Sequence, residues 1–181
     1  MSALVLLGLV AMACGGGSDD GQAQPIGDTT AMPELAPALE ALEPLGEDHP
    51  LRQRLLEVAV ATAPFQDVEM AIEAGYELAD AGCFPGAGIH YLRADLIDGE
   101  IDELTPEAIT YENSENGLRL VSVEYAVPYG LADAQRDVMG VAFEGPFYIA
   151  DFGYSISAIH VWLWKPNPAG MFGGLNNTIT C

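Results

Sequence analysis

The sequence is short of positive charge. Six Lys and Arg stand against 27 Asp and Glu, a formal net charge of −21, and Lys165 is the single lysine. With no basic footprint, nucleic acid and anionic lipid head groups are poor electrostatic partners. Lysine chemistry would rest on Lys165 alone, which lies beside prolines and reads as exposed. Catalytic signatures are missing too. There is no Gly-x-Ser-x-Gly elbow, Walker loop, His-Glu-x-x-His, Cys-x-x-Cys or dinucleotide fingerprint. Gly86-Ala87-Gly88 lacks the third glycine and the helix that should follow. With only three His, three Cys and two Trp, each of these residues carries weight.

What is present suits one folded domain. The 181 residues are 50% hydrophobic and 18% charged, enough to build a core. The acidic residues are spread along the chain, which reads as a solvated surface; capture of cations or of a basic partner is the sharper alternative.

The N-terminus reads as a targeting segment. Residues 3–13 form an apolar run too short to span a bilayer as a mature helix. Ala11 and Ala13 precede Cys14, and Gly-Gly-Gly-Ser-Asp-Asp follows. This predicts a signal peptide over 1–13 ending in a bacterial lipobox, with Cys14 lipid-modified. A lipid-anchored flexible linker is then expected over 14–47, and a single domain over 48–181. The expected location is the bacterial cell envelope, extracytoplasmic, with the membrane reached through the anchor. Export leaves Cys83 and Cys181, an even number in an oxidising compartment, and a disulfide between them is expected. Two free thiols or metal ligands are the alternative. The bridge would close a loop of about 99 residues, worth roughly 4–5 kcal/mol in the chain-entropy model.

Periodicity orders the rest. Pro50 suits a first helical position, Leu51, Leu55, Val58 and Thr62 recur at helical spacing, and Pro64 ends the helix. A second helix is expected over about 66–74, with Val68 and Ile72 inward and Gly75 as its cap. Strands are expected at 88–92, at 108–112 and 118–126 joined by a loop at 113–117, at 141–150 broken by Gly145-Pro146, and at 155–164. Two helices followed by antiparallel strands predict an α+β fold, an N-terminal helical segment packed on a small sheet with one disulfide.

The stretch His160-Val161-Trp162-Leu163-Trp164-Lys165-Pro166-Asn167-Pro168 holds both tryptophans. Alternation sends Ile159, Val161 and Leu163 one way and His160, Trp162 and Trp164 the other. This stretch through Phe172, with Asn176 and Cys181 trailing, Gly86-Ala87-Gly88-Ile89-His90-Tyr91 and Leu120-Val121-Ser122-Val123-Glu124-Tyr125 together resemble a family of exported bacterial proteins, lipoproteins or secreted. The resemblance covers about residues 55–181 and supports the domain limits and the disulfide; no activity carries over with it.

Chemistry is left to His90, Glu124 and His160, each inside an expected strand among apolar or aromatic neighbours. Two imidazoles and one carboxylate are a ligand set for a divalent transition metal. The same trio could be a buried hydrogen-bond network, or Glu124 could pair with Arg93 or Arg119. Tyr91, Tyr111 and Tyr125 offer hydroxyls to any of these, and Trp162, Trp164, Tyr91 and Tyr125 are candidates to line a ligand face. The functional expectation is a lipid-anchored domain binding a small ligand or partner through this aromatic and histidine face. A metal-dependent enzyme and a purely structural envelope lipoprotein are the alternatives.

Overall fold

The computed structural model describes residues 33–131 and 137–181. The expected signal peptide and Cys14 lie outside the described residues. The chain runs helix α1 (Ala36–Leu42), α2 (Pro50–Thr62) and α3 (Val68–Glu73), then strands β1 (Glu77–Phe84), β2 (Gly88–Leu92), β3 (Ala108–Ser114), β4 (Gly117–Pro128), β5 (Glu144–Ile149) and β6 (Tyr154–Val161). All strand pairs are antiparallel and form one curled six-stranded sheet, ordered β1-β2-β3-β4-β6-β5.

Helix α2 begins as expected. Pro50 occupies its first turn, and His49 Nδ1 caps it by accepting from the Leu51 N–H at 3.2 Å. Helix α3 ends in a Schellman motif: the Gly75 N–H reaches Ile72 O and the Tyr76 N–H reaches Ala71 O, both at 3.0 Å. Gly75 takes φ +94°, which a side chain would disfavour. Val68 packs half-buried on the core as expected, but its inward companion in α3 is Ala71, fully buried, while Ile72 is exposed.

The linker expected over 14–47 is corrected where it is described. Residues 33–45 are helical, and Leu35, Ala38 and Leu42 lie in the main core at 1%, 0% and 0% exposure. Arg52 Nη1 donates to Leu42 O at 2.7 Å. Pro37 and Pro44 stand in first turns, where no N–H is required of them. The folded body therefore includes residues from 33 onward.

The sheet has two different faces. One carries Tyr91, Ile109, Tyr111, Val123, Tyr125, Ile159 and Val161 against Leu35, Leu42, Leu55 and Val58 of the helical segment. Strand alternation puts His90, Ala108, Thr110, Ser122, Glu124, Ala158 and His160 on the other. Both are buried at β4, where residues 120–127 are all shielded.

Several strand limits differ from expectation. Strand β1 had no sequence signal, because Ala-Asp-Ala-Gly is poor strand material; it is an edge strand with exposed Leu78 and Phe84. The β3–β4 ladder runs to Ser114↔Gly117, so residues 115 and 116 alone form the turn. Strand β5 starts at Glu144 and holds a cis Gly145–Pro146 bond within its register shift, tolerable because β5 is the other edge.

After β6 the chain doubles back and is tied at several points. Cys83 and Cys181 are disulfide-bonded, Cα–Cα 5.6 Å. Glu112, fully buried, accepts from Lys165 Nζ at 2.7 and 3.0 Å, from Arg119, and from the Thr180 N–H at 2.9 Å. Lys165 is thus a partner of a buried carboxylate rather than the exposed residue expected. Asn176, fully buried, donates its backbone N–H to Gly86 O at 2.8 Å and its amide to Pro166 O at 3.2 Å.

Candidate metal centre

Register builds the candidate site. His90 stands opposite Thr110, Thr110 opposite Ser122, and Ala108 opposite Glu124, which in turn faces His160. Glu124 and His160 are therefore direct cross-strand neighbours. His90 comes from β2, with β3 lying between it and Glu124 and presenting Ala108 and Thr110 on that face.

The three side chains converge. His90 Nε2 lies 3.3 Å from His160 Nε2. His90 Nε2 lies 3.6 Å from Glu124 Oε2, and His160 Nε2 lies 3.7 Å from Glu124 Oε1. The carboxylate thus straddles the imidazole pair, and one donor atom from each residue can be chosen with all three within 4.8 Å. Metal bonds of about 2.0–2.2 Å give tetrahedral ligand edges of about 3.3–3.6 Å and octahedral cis edges of about 2.8–3.1 Å. The imidazole pair at 3.3 Å matches the tetrahedral figure, whereas the two contacts to Glu124 fall on different carboxylate oxygens.

The surroundings hold these donors in place. The His160 ring stacks on the Trp162 indole at 5.3 Å with 6° between planes, and the two imidazoles meet edge-on at 74°. Trp162 is itself fixed: its backbone N–H donates to Met171 O at 2.8 Å and its indole N–H to Gly173 O. Glu124 is 5% exposed, while the His90 and His160 side chains keep 18% and 13%. Burial holds the His90 imidazole below its ordinary range; Glu124 opposes this shift and His160 adds to it. The neutral imidazole is the ligating form.

Other candidates are placed elsewhere. Arg93 pairs with Asp95 and Arg119 with Glu112, so neither is the partner foreseen for Glu124. Tyr91, Tyr111 and Tyr125 lie on the opposite, core face, since each is an odd step from the site residues. Tyr111 donates to Phe65 O at 2.6 Å and Tyr125 to Glu103 O at 2.7 Å. Trp164 leaves the expected face because β6 stops at Val161. There the Leu163 N–H bonds Val161 O at 2.7 Å, a tight turn that sends Trp164 into the core. Its indole N–H reaches Thr62 Oγ1 at 3.1 Å. With Trp162 and Trp164 at 0% and 3% exposure, neither presents an open aromatic face. An apolar groove of about 320 Å³ is lined by Glu34, Leu35, Val60, Ala63 and Pro64, none of them a site residue.

Two groups escaped the sequence reading. Thr110 and Ser122 are fully buried on the face of the triad, and their hydroxyls have no hydrogen-bond partner. Glu107 is 1% exposed, and its Oε2 accepts the Ala126 N–H at 3.0 Å. Extending the alternation of His90 and Glu124 across neighbouring strands would have flagged the first pair; nothing local marks Glu107 as buried. Among the described residues, no helix is long and apolar enough to cross a membrane. Compared with known proteins, the chain matches no family model, no curated protein and no solved structure.

Proposed function

We propose that this protein is an exported, lipid-anchored domain that holds a divalent transition metal between His90, Glu124 and His160. The carrying observation is the convergence of one donor atom from each residue within 4.8 Å, with the two imidazole nitrogens 3.3 Å apart. Three protein ligands leave a fourth position for solvent or substrate, whereas structural zinc sites close all four. The reading is therefore metal-dependent chemistry on a small substrate rather than a structural ion. A bound metal would supply Lewis acidity and a water of lowered pKa at that position. The burial of both tryptophans turns the reading from an aromatic ligand face to the donor cluster. Envelope location and anchoring through Cys14 rest on the N-terminal sequence.

The test is metal content. The protein, equilibrated with zinc and desalted, should retain one ion per chain. His90→Ala, Glu124→Ala and His160→Ala should each lose it with the disulfide and the circular dichroism spectrum unchanged. A wild-type protein that retains no zinc, cobalt, nickel, copper or iron would refute the metal reading.

A further inference from the structure

Thr110 and Ser122 carry the only buried side-chain polar atoms without a hydrogen-bond partner among the described residues. A buried hydroxyl left unpaired costs free energy, so two together call for an explanation. They are not scattered. Thr110 and Ser122 stand directly opposite each other across the β3–β4 ladder. Thr110 is also the cross-strand neighbour of His90, and Ser122 lies two residues from Glu124 on the same face. Opposed hydroxyls of this kind can bond each other across strands; these two do not. Nor is Thr110 oriented by its neighbour in β2. A Cβ on Gly88 would come within 2.8 Å of the Thr110 methyl carbon and 2.5 Å of Tyr111 O, so it is the methyl group that faces Gly88.

We infer that the Thr110 and Ser122 hydroxyls bind the non-protein ligand of the metal, a small oxygen-donor group: water or hydroxide at rest, and a small oxyanion in its place. This rests on the metal reading above. A hydroxyl can donate to one such oxygen or accept from its proton, so the pair suits both forms. Full burial of both groups limits the position to ligands of a few atoms. Thr110 and Ser122 orient that ligand and do not touch the metal.

The test uses Co(II) as the metal and formate as the oxyanion, with the full chain. Wild-type protein should bind one Co(II), and formate should shift its visible bands with a saturable Kd. Thr110→Val and Ser122→Ala should keep one Co(II) per chain and weaken formate about five- to tenfold each. Thr110→Ser, which keeps the hydroxyl, should stay near wild type. Unchanged formate affinity in T110V and S122A at full Co(II) occupancy overturns the inference while leaving the metal centre standing. Absence of Co(II) binding by wild type removes both. If T110V fails to hold Co(II), S122A and T110S decide the matter alone, since formate affinity equal to wild type in S122A also overturns it.

Discussion

Replacing Glu107 by Gln should change how stability depends on pH. Glu107 sits immediately before β3, 1% exposed, with Oε2 accepting the Ala126 N–H. Burial pushes its carboxyl from 4.5 up to about 8; the N–H groups of Ala126 and Glu107 pull it down, and Asp98 and Asp102 push it further up. The folded protein therefore holds this proton more tightly than the unfolded chain does. The favourable contribution is fully present below the unfolded value near 4.5 and is lost as pH rises through about 8. That gap of about 3.5 pH units corresponds to at most about 5 kcal/mol. Gln keeps an acceptor for Ala126 and cannot ionise. Urea unfolding, with the disulfide intact, should show wild type and Glu107→Gln close together at pH 5. At pH 9 the variant should be more stable by about 2–5 kcal/mol, the lower figure allowing for relaxation around the charge. The difference between the two proteins isolates Glu107 from the other acidic residues. Parallel stability curves from pH 5 to 9 would refute the reasoning, because they would mean that Glu107 ionises in the fold as freely as in the unfolded chain.

Lys165→Met should cost about 2–3 kcal/mol, below the figure for a fully orphaned buried charge, because Arg119 and the Thr180 N–H still serve Glu112; chemical denaturation measures it. Burial pushes the Glu112 carboxyl up, but Lys165, Arg119 and Thr180 outweigh burial and hold it below its usual range. Its contribution is thus present above the unfolded value and lost as pH falls through the lower folded one, so amide protection at 176–181, corrected for the intrinsic exchange rate, should fall in acid. No acid-dependent change there would count against the clasp. Losing either Cys83 or Cys181 should cost about 2–5 kcal/mol, and thiol titration of the denatured, unreduced protein should find neither free. Anchoring through Cys14 predicts fatty-acid labelling and detergent partitioning that Cys14→Ser abolishes; equal solubility of both proteins would end that expectation.

Local chemistry made much of this protein legible. Pro50, the spacing from Leu55 to Thr62, and Gly75 specify α2 and the end of α3 through capping and helical period, which act within a few residues. Alternation marked 108–126 as a hairpin, and it marked His90, Glu124 and His160 as donors on strand faces. Cysteine parity paired Cys83 with Cys181. Alternation, however, gives a residue's parity and not its partner. The meeting of His90 with Glu124 and His160 across β3 depends on registers set by three separate ladders. Tertiary packing also recruited α1 to the core, made an edge strand of β1, and ended β6 at Val161 so that Trp164 turned to Thr62. The orphaned pair Thr110 and Ser122 is of the same kind. Nothing within a strand says whether a hydroxyl will find a partner, because that partner is brought by another strand or by a ligand.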